Sequence, residues 1–367
     1  MVTDNHGTVI TAWSAVSPFG LGPEAFEAAL RGGATSAASA VPEAWGVPEQ
    51  EVCRVPDDAL GHVLSRKGTR SMDRVTALAV ATVGRLLDDR ERHGAVATGE
   101  GLALVLGTTT GSAQSMMDFT RESFLGKMPF FVDPARFPNT VMNCAAGQSA
   151  IWHCLKGPNA TVAGGRIAGL HALNYARRLL RAGRAEAVLC GAVEELSRAR
   201  CWLEWHSRPA GESGAVSGEG CAVFLVELAA ATPVPGRRPL ADVLTVDFGT
   251  FTGDGAATAL EACIGRALHR ATLTPDTIWA VAPSGAGEAE QAALDAVLGS
   301  RATVQVRPVE LIGDTRAAAA AFQIAAVLAV AAERPDPAGR LALITAVDAE
   351  GVVGCALLRI RPGGQEE

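Results

Sequence analysis

No histidine follows His269 in this 367-residue chain; the seven present are His6, His62, His93, His153, His171, His206 and His269. Imidazole acid–base chemistry therefore cannot be supplied by any loop beyond that position. Aromatic residues are scarce at 5%, with a single tyrosine, and charged residues make up only 19%. A net charge of −7 spread over so few charges excludes a basic nucleic-acid surface, and the low charge excludes a solvated, disordered chain. No apolar run is long and unbroken enough for a membrane span: the longest, Ala317 to Ala332, contains Gln323 and reads as a buried helix. The eight cysteines (Cys53, Cys144, Cys154, Cys190, Cys201, Cys221, Cys263 and Cys355) include no C-x-x-C pair, which argues against a disulfide framework or zinc ribbon and for a reducing, cytoplasmic compartment. Met1 to His6 carry no basic run, so no secretory leader is expected. The glycines around Gly107-Thr108-Thr109-Thr110-Gly111-Ser112 match no phosphate-loop pattern, and no His/Cys/Asp cluster has ligand spacing, so neither a cofactor nor a metal is expected.

What is present is a regular alternation of strand-like and helix-like segments in a chain that is 48% hydrophobic. Strands are expected at 8–14, 101–107, 160–163, 186–191, 221–228, 241–247, 278–282, 303–306, 341–346 and 353–360. Helices are expected at 23–31, 71–88, 112–125, 143–154, 168–183, 256–271, 287–298 and 315–333. Fully apolar strands such as Ala103-Leu104-Val105-Leu106 imply an α/β protein whose sheets are covered on both faces. Residues 33–70 show little periodicity and read as a surface excursion, and Ala229 to Pro239 reads as a joint between two halves.

The most informative stretch is Gly157 to Gly169. A short β-branched run, Thr161-Val162, leads into the small-residue turn Ala163-Gly164-Gly165, and a helix follows through Leu170, Leu173, Ala176 and Leu180. This is the frame of a nucleophile elbow, which in enzymes lifts a Ser or Cys to a helix N-terminus. Here Arg166 stands at the tip. A guanidinium is not deprotonated in a protein and cannot carry an acyl group, so covalent catalysis at this position is excluded.

Several motifs in order, Phe137-Pro138-Asn139-Thr140-Val141-Met142-Asn143, Ala145-Ala146-Gly147, Gly157-Pro158-Asn159, Ala168-Gly169 and Gly191-Ala192-Val193-Glu194, with Ser207-Arg208-Pro209 and Ser217-Gly218-Glu219-Gly220, resemble β-ketoacyl-acyl-carrier-protein synthases. The resemblance implies a thiolase fold, a five-layer αβαβα sandwich of two similar halves, divided here as residues 1–230 and 240–367. It also implies a Cys and two His as catalytic residues. In this chain the corresponding positions are Arg166, the segment 282–288 containing Ser284, and Asp314, while a family lysine is replaced by Val309. The glycine-rich gating loop is altered to Val347-Asp348-Ala349-Glu350-Gly351. Loss of the whole catalytic set resembles the chain-length factors of type II polyketide synthases, which implies a non-catalytic subunit paired with an active ketosynthase and served by an acyl carrier protein, with no nucleic-acid or membrane partner.

The same resemblance implies that the helix after Gly111 walls the acyl tunnel. Ala113, Met116, Met117 and Thr120 fall on one face at i, i+3, i+4 and i+7, with Phe119 and Phe124 as further steric stops. Arg177, Arg178, Arg181 and Arg184 read as a solvated helix face, which the resemblance would make a docking face for the carrier protein. Cys144 reads as a small buried hydrophobe at a helix start. Two other classes stay open on the residues alone: a divergent condensing or acyl-transfer enzyme using Cys144, Ser284 or Asp314, and a homodimeric acyl-binding protein.

Overall fold

A computed structural model of the chain describes residues 7–32, 37–61, 69, 71–207, 215–231, 234–334 and 339–361. Ten principal strands form one continuous hydrogen-bonded path: β1 (Thr8–Ser17), β2 (Leu102–Thr108), β3 (Asn159–Ala163), β4 (Ala187–Glu194), β5 (Gly220–Leu228), β6 (Ala241–Thr250), β7 (Ile278–Ala282), β8 (Val304–Gln305), β9 (Leu341–Asp348) and β10 (Val352–Ile360). Their order is β8-β7-β9-β10-β6-β1-β5-β4-β2-β3. The two runs of five meet only where Thr8, Val9 and Ile10 face Val243, Asp242 and Ala241.

Each run has the same internal order, 3-2-4-5-1, when its strands are counted from its own start. Each also has the same directions: strand 1 is antiparallel to 5, 5 to 4, and 4-2-3 run parallel. Even the register irregularity recurs, between Ile10 and Ala12 in β1 and between Val243 and Thr245 in β6. A sequence too diverged to reveal repetition thus folds into two copies of one topology.

The longer helices are α1 (Pro23–Arg31), α2 (Arg74–Asp88), α3 (Ala113–Leu125), α4 (Cys144–Trp152), α5 (Ala168–Arg181), α6 (Arg198–Ser207), α7 (Ala256–Ala271), α8 (Glu288–Leu298) and α9 (Ala319–Ala332). Strand alternation distributes them into layers. Ala222, Phe224 and Val226 of β5 face a central core with α5 and α9, while Cys221, Val223 and Leu225 face an outer core with α2. On β10, Ala356, Leu358 and Ile360 share the central core, and Val353, Cys355 and Leu357 face α7 and α8. Period-2 burial on both faces is what two covered sheets require, and it yields the thiolase-type sandwich. In the middle layer α5 and α9 cross closely at Gly169, where an added Cβ would lie 3.0 Å from the Ala321 nitrogen.

Three expectations need correction. The excursion is partly structured: Glu51–Cys53 pairs with Ser39–Ala40 and Ser217–Gly218, and Val52, Cys53, Val55 and Leu60 are buried, so short apolar clusters anchor it. The 71–88 helix begins only at Arg74, because the Asp73 side chain caps it by accepting the Thr76 N–H. Arg177 is not solvated: it is buried between the halves, where it donates to Thr8 Oγ1 at 3.3 Å and the Leu244 carbonyl at 3.2 Å. His62, Arg208 and Pro209 lie outside the described residues. Among the described residues no helix is long and apolar enough to cross a membrane.

Candidate functional site

The elbow forms as its small residues dictate. β3 ends at Ala163, Gly165 takes φ +51°, residues Gly165–Ile167 make one tight turn, and α5 begins at Ala168. Arg166 sits at the tip with its side chain 17% exposed, and its guanidinium makes an ion pair with Asp314. The backbone of Asp314 is fixed on both sides: its N–H donates to Val216 O at 2.7 Å, and its carbonyl accepts from Gly218 N at 3.0 Å and Arg200 Nη2 at 2.9 Å.

The pair belongs to a larger network. Arg316 donates its backbone N–H to Asp314 Oδ1 at 3.0 Å and its Nε to Glu204 Oε1 at 3.1 Å. Glu204, on α6, also accepts from Arg200 Nε at 2.6 Å and Ser217 Oγ at 3.0 Å. Burial alone would raise the Asp314 pKa, but the charge of Arg166, followed by those of Arg316 and Arg200, outweighs it and holds the carboxyl at about 2. Burial would likewise raise Glu204, and Arg200 and Arg316 bring it below the usual carboxylate range. The site therefore holds a network of paired charges, in which Arg166 Nε is buried without a hydrogen-bond partner.

Ser284 follows β7 and is buried. Its hydroxyl lies 3.0 Å from Glu290 Oε2 and accepts the Val347 N–H at 3.3 Å. Glu290 is already engaged by the N–H groups of Ser284 and Ala286 and by Thr345 Oγ1. Ser284, Val309, Asp314, Thr315 and Gln323 line one recess, so the structure brings two of the three substituted positions together, and Arg166 reaches them through Asp314. No described histidine is hydrogen-bonded to Ser284, Asp314 or Cys144. The Cys144 thiol lies 3.4 Å from Asn139 Oδ1, and burial pushes its pKa up, which makes it a poor nucleophile. Among the described residues no group of His, Cys, Asp and Glu could hold a metal ion.

Along α3 the single-face expectation meets a gradient. Ala113 is buried, but Met116, Met117 and Thr120 are exposed, and Phe124 is 82% exposed. Phe119 packs edge-on against Phe137 at 5.9 Å. Beside this helix, Phe130, Phe131, Phe137, Val141 and Met142 are also exposed. Among the described residues β3 pairs with β2 alone and ends the sheet path, so its outer edge has no partner strand among them.

Sequence reasoning missed α6, with Arg200 and Glu204 at i,i+4 as its one local signal, and it missed the contact of Asp348 with the elbow.

Residues 7–231 match the family model described as β-ketoacyl synthase, N-terminal domain. A solved structure described as the ishigamide ketosynthase/chain length factor is 45% identical with a TM-score of 0.89, over 97% of this chain and 100% of that one. The ketoacyl synthase alpha subunit of the tetracenomycin polyketide synthase of Streptomyces glaucescens is 27% identical over 356 residues, covering 87% of this chain and 83% of that protein. A 3-oxoacyl-[acyl-carrier-protein] synthase 2 of Vibrio harveyi is 28% identical over 232 residues, 55% of this chain and 54% of that one, so the chain spans about half the length of that relative.

Proposed function

The chain belongs to the β-ketoacyl synthase family, and from that premise we propose that it is a non-catalytic chain-length factor. It pairs with an active ketosynthase, shapes the end of that enzyme's acyl tunnel and so sets polyketide length, on chains delivered by an acyl carrier protein. The halves 1–230 and 240–367 act as one unit in this reading.

The observation that carries the proposal is the elbow whose tip is a guanidinium locked to Asp314. It keeps the scaffold that holds an acyl group and removes the means of attacking one. The 45% identity to a ketosynthase/chain length factor structure supports the same reading. The exposed apolar side chains around α3, and an outer edge of β3 with no partner strand among the described residues, supply surface that a second subunit would cover. In that heterodimer Met116, Met117 and Thr120 would meet the partner, with Ala113 and Phe119 behind them.

The test compares the chain purified alone with the chain co-expressed with a type II ketosynthase encoded beside it. Given acyl and malonyl carrier proteins, the chain alone forms no condensation product and the pair does. Turnover by the isolated chain at ~1 s⁻¹ or more would contradict the proposal and favour the divergent enzyme. A stable homodimer that ignores every ketosynthase would favour the acyl-binding protein.

A further inference from the structure

The altered loop Val347 to Gly351 has a role that the substitutions at 166, 284 and 314 do not account for. Asp348 closes β9, is buried, and lies against the elbow. Its Oδ2 accepts the backbone N–H of Arg166 at 2.8 Å, and its Oδ1 accepts the N–H of Glu350 at 3.0 Å. Its approach is possible only because residue 165 is glycine at φ +51°: a Cβ there would overlap the Asp348 carboxylate. At an acyl-transfer elbow, a backbone N–H at the turn is the donor that receives the oxygen of the tetrahedral intermediate, at about 2.7–3.1 Å. Here that donor is already engaged at that distance, by the Asp348 carboxyl oxygen.

The geometry points to Asp348 as an internal surrogate for the oxyanion, an autoinhibitory contact that closes this chain's own acyl site whatever residue stands at 166. Two consequences follow. A substrate carbonyl cannot reach the Arg166 N–H without displacing a carboxylate. A thiol placed at 166 would sit beside a negative charge, which disfavours its thiolate. The inference needs the elbow geometry and not the chain-length role, so a chain that controls no product length could still meet the test below.

The experiment uses the full chain in an Arg166→Cys/Asp314→Asn background, which avoids leaving the buried Asp314 carboxylate without the nearer of its two cations. Iodoacetamide is the probe: the thiol gives its proton to solvent, a sulfur–carbon bond forms, and iodide leaves. Labelling at position 166 at pH 7 is followed by peptide mass spectrometry, with the exposed Cys154 as internal reference. Adding Asp348→Ala is expected to speed labelling at 166 at least tenfold relative to Cys154, and to let the sulfur at 166 take the octanoyl group from an octanoyl thioester, with release of the donor's thiol, a transfer that the background variant does not accept. Equal labelling with and without Asp348→Ala would overturn the inference. If the background variant does not fold, hydrogen exchange of the Arg166 amide in the otherwise unchanged Asp348→Ala chain decides: exchange about tenfold faster supports the contact, and unchanged exchange contradicts it.

Discussion

Arg166 and Asp314 exchange one cost for another. Each is expensive to bury alone, and the ion pairs of Asp314 with Arg166 and Arg316 offset that cost, so removing Arg166 leaves Asp314 less well compensated. Arg166→Ala should destabilise the chain by about 2 kcal/mol in urea unfolding, less than the ~3–5 kcal/mol of a fully broken buried pair, because Arg316 still serves Asp314. Asp314 also fixes an acid limb. Its folded pKa of about 2 lies below the unfolded value, so its contribution is full above ~pH 4 and is lost as pH falls toward 2.

Glu195 acts with the opposite sign. Burial, and then the Asp73 charge, push its pKa up to about 7. Between ~pH 4.5 and 7 the folded state holds a proton that the unfolded state has released, so stability falls as pH rises, by up to about 3 kcal/mol. Glu195→Gln should flatten that limb in denaturation measured from pH 5 to 7. If the variant keeps the wild-type slope, Glu195 is not the titrating group.

At the scale of elements, most of the fold was legible because two covered sheets write a simple code. Strands such as β2 and β5 are continuous apolar runs, and α5 and α7 carry a clean apolar stripe. α6 was not legible for a physical reason: its buried face holds Arg200 and Glu204, which are satisfied by each other, by Ser217 and by backbone carbonyls, so no apolar periodicity announces it. The site was half legible. Arg166, Ser284 and Asp314 were found by position in the motifs, but the partners that give them meaning, Glu204, Glu290 and Asp348, are brought together only by the tertiary fold. The crossing of α5 and α9 is a further element-level claim. Gly169→Val should cost about 1–3 kcal/mol, since its side chain would meet the Ala321 backbone, which cannot move aside without shifting a helix. A calorimetric transition unchanged from wild type would show that the helices have slack.

For the whole molecule, the duplicated topology leaves β3 at one end of the sheet path, and the apolar side chains of α3 and of the segment after it are exposed. A charge placed there, as in Phe130→Asp or Phe131→Asp, should weaken assembly with the ketosynthase while leaving the chain's own unfolding midpoint within ~1 kcal/mol, because these rings pack little within the chain. Light scattering of the co-expressed pair reads the first effect and urea denaturation the second. The central claim, that this subunit measures the acyl chain, is tested most directly by product length in intact heterodimers. A ring added on the α3 face would fill volume needed by the chain's far end, in surroundings that resist overpacking by about 1–3 kcal/mol. Mass spectrometry of products from Ala113→Phe and Met116→Phe pairs should show polyketides shorter by one or more two-carbon units, with Met116→Ala unchanged or longer. An unaltered length distribution from bulky variants that still assemble and turn over would contradict the account.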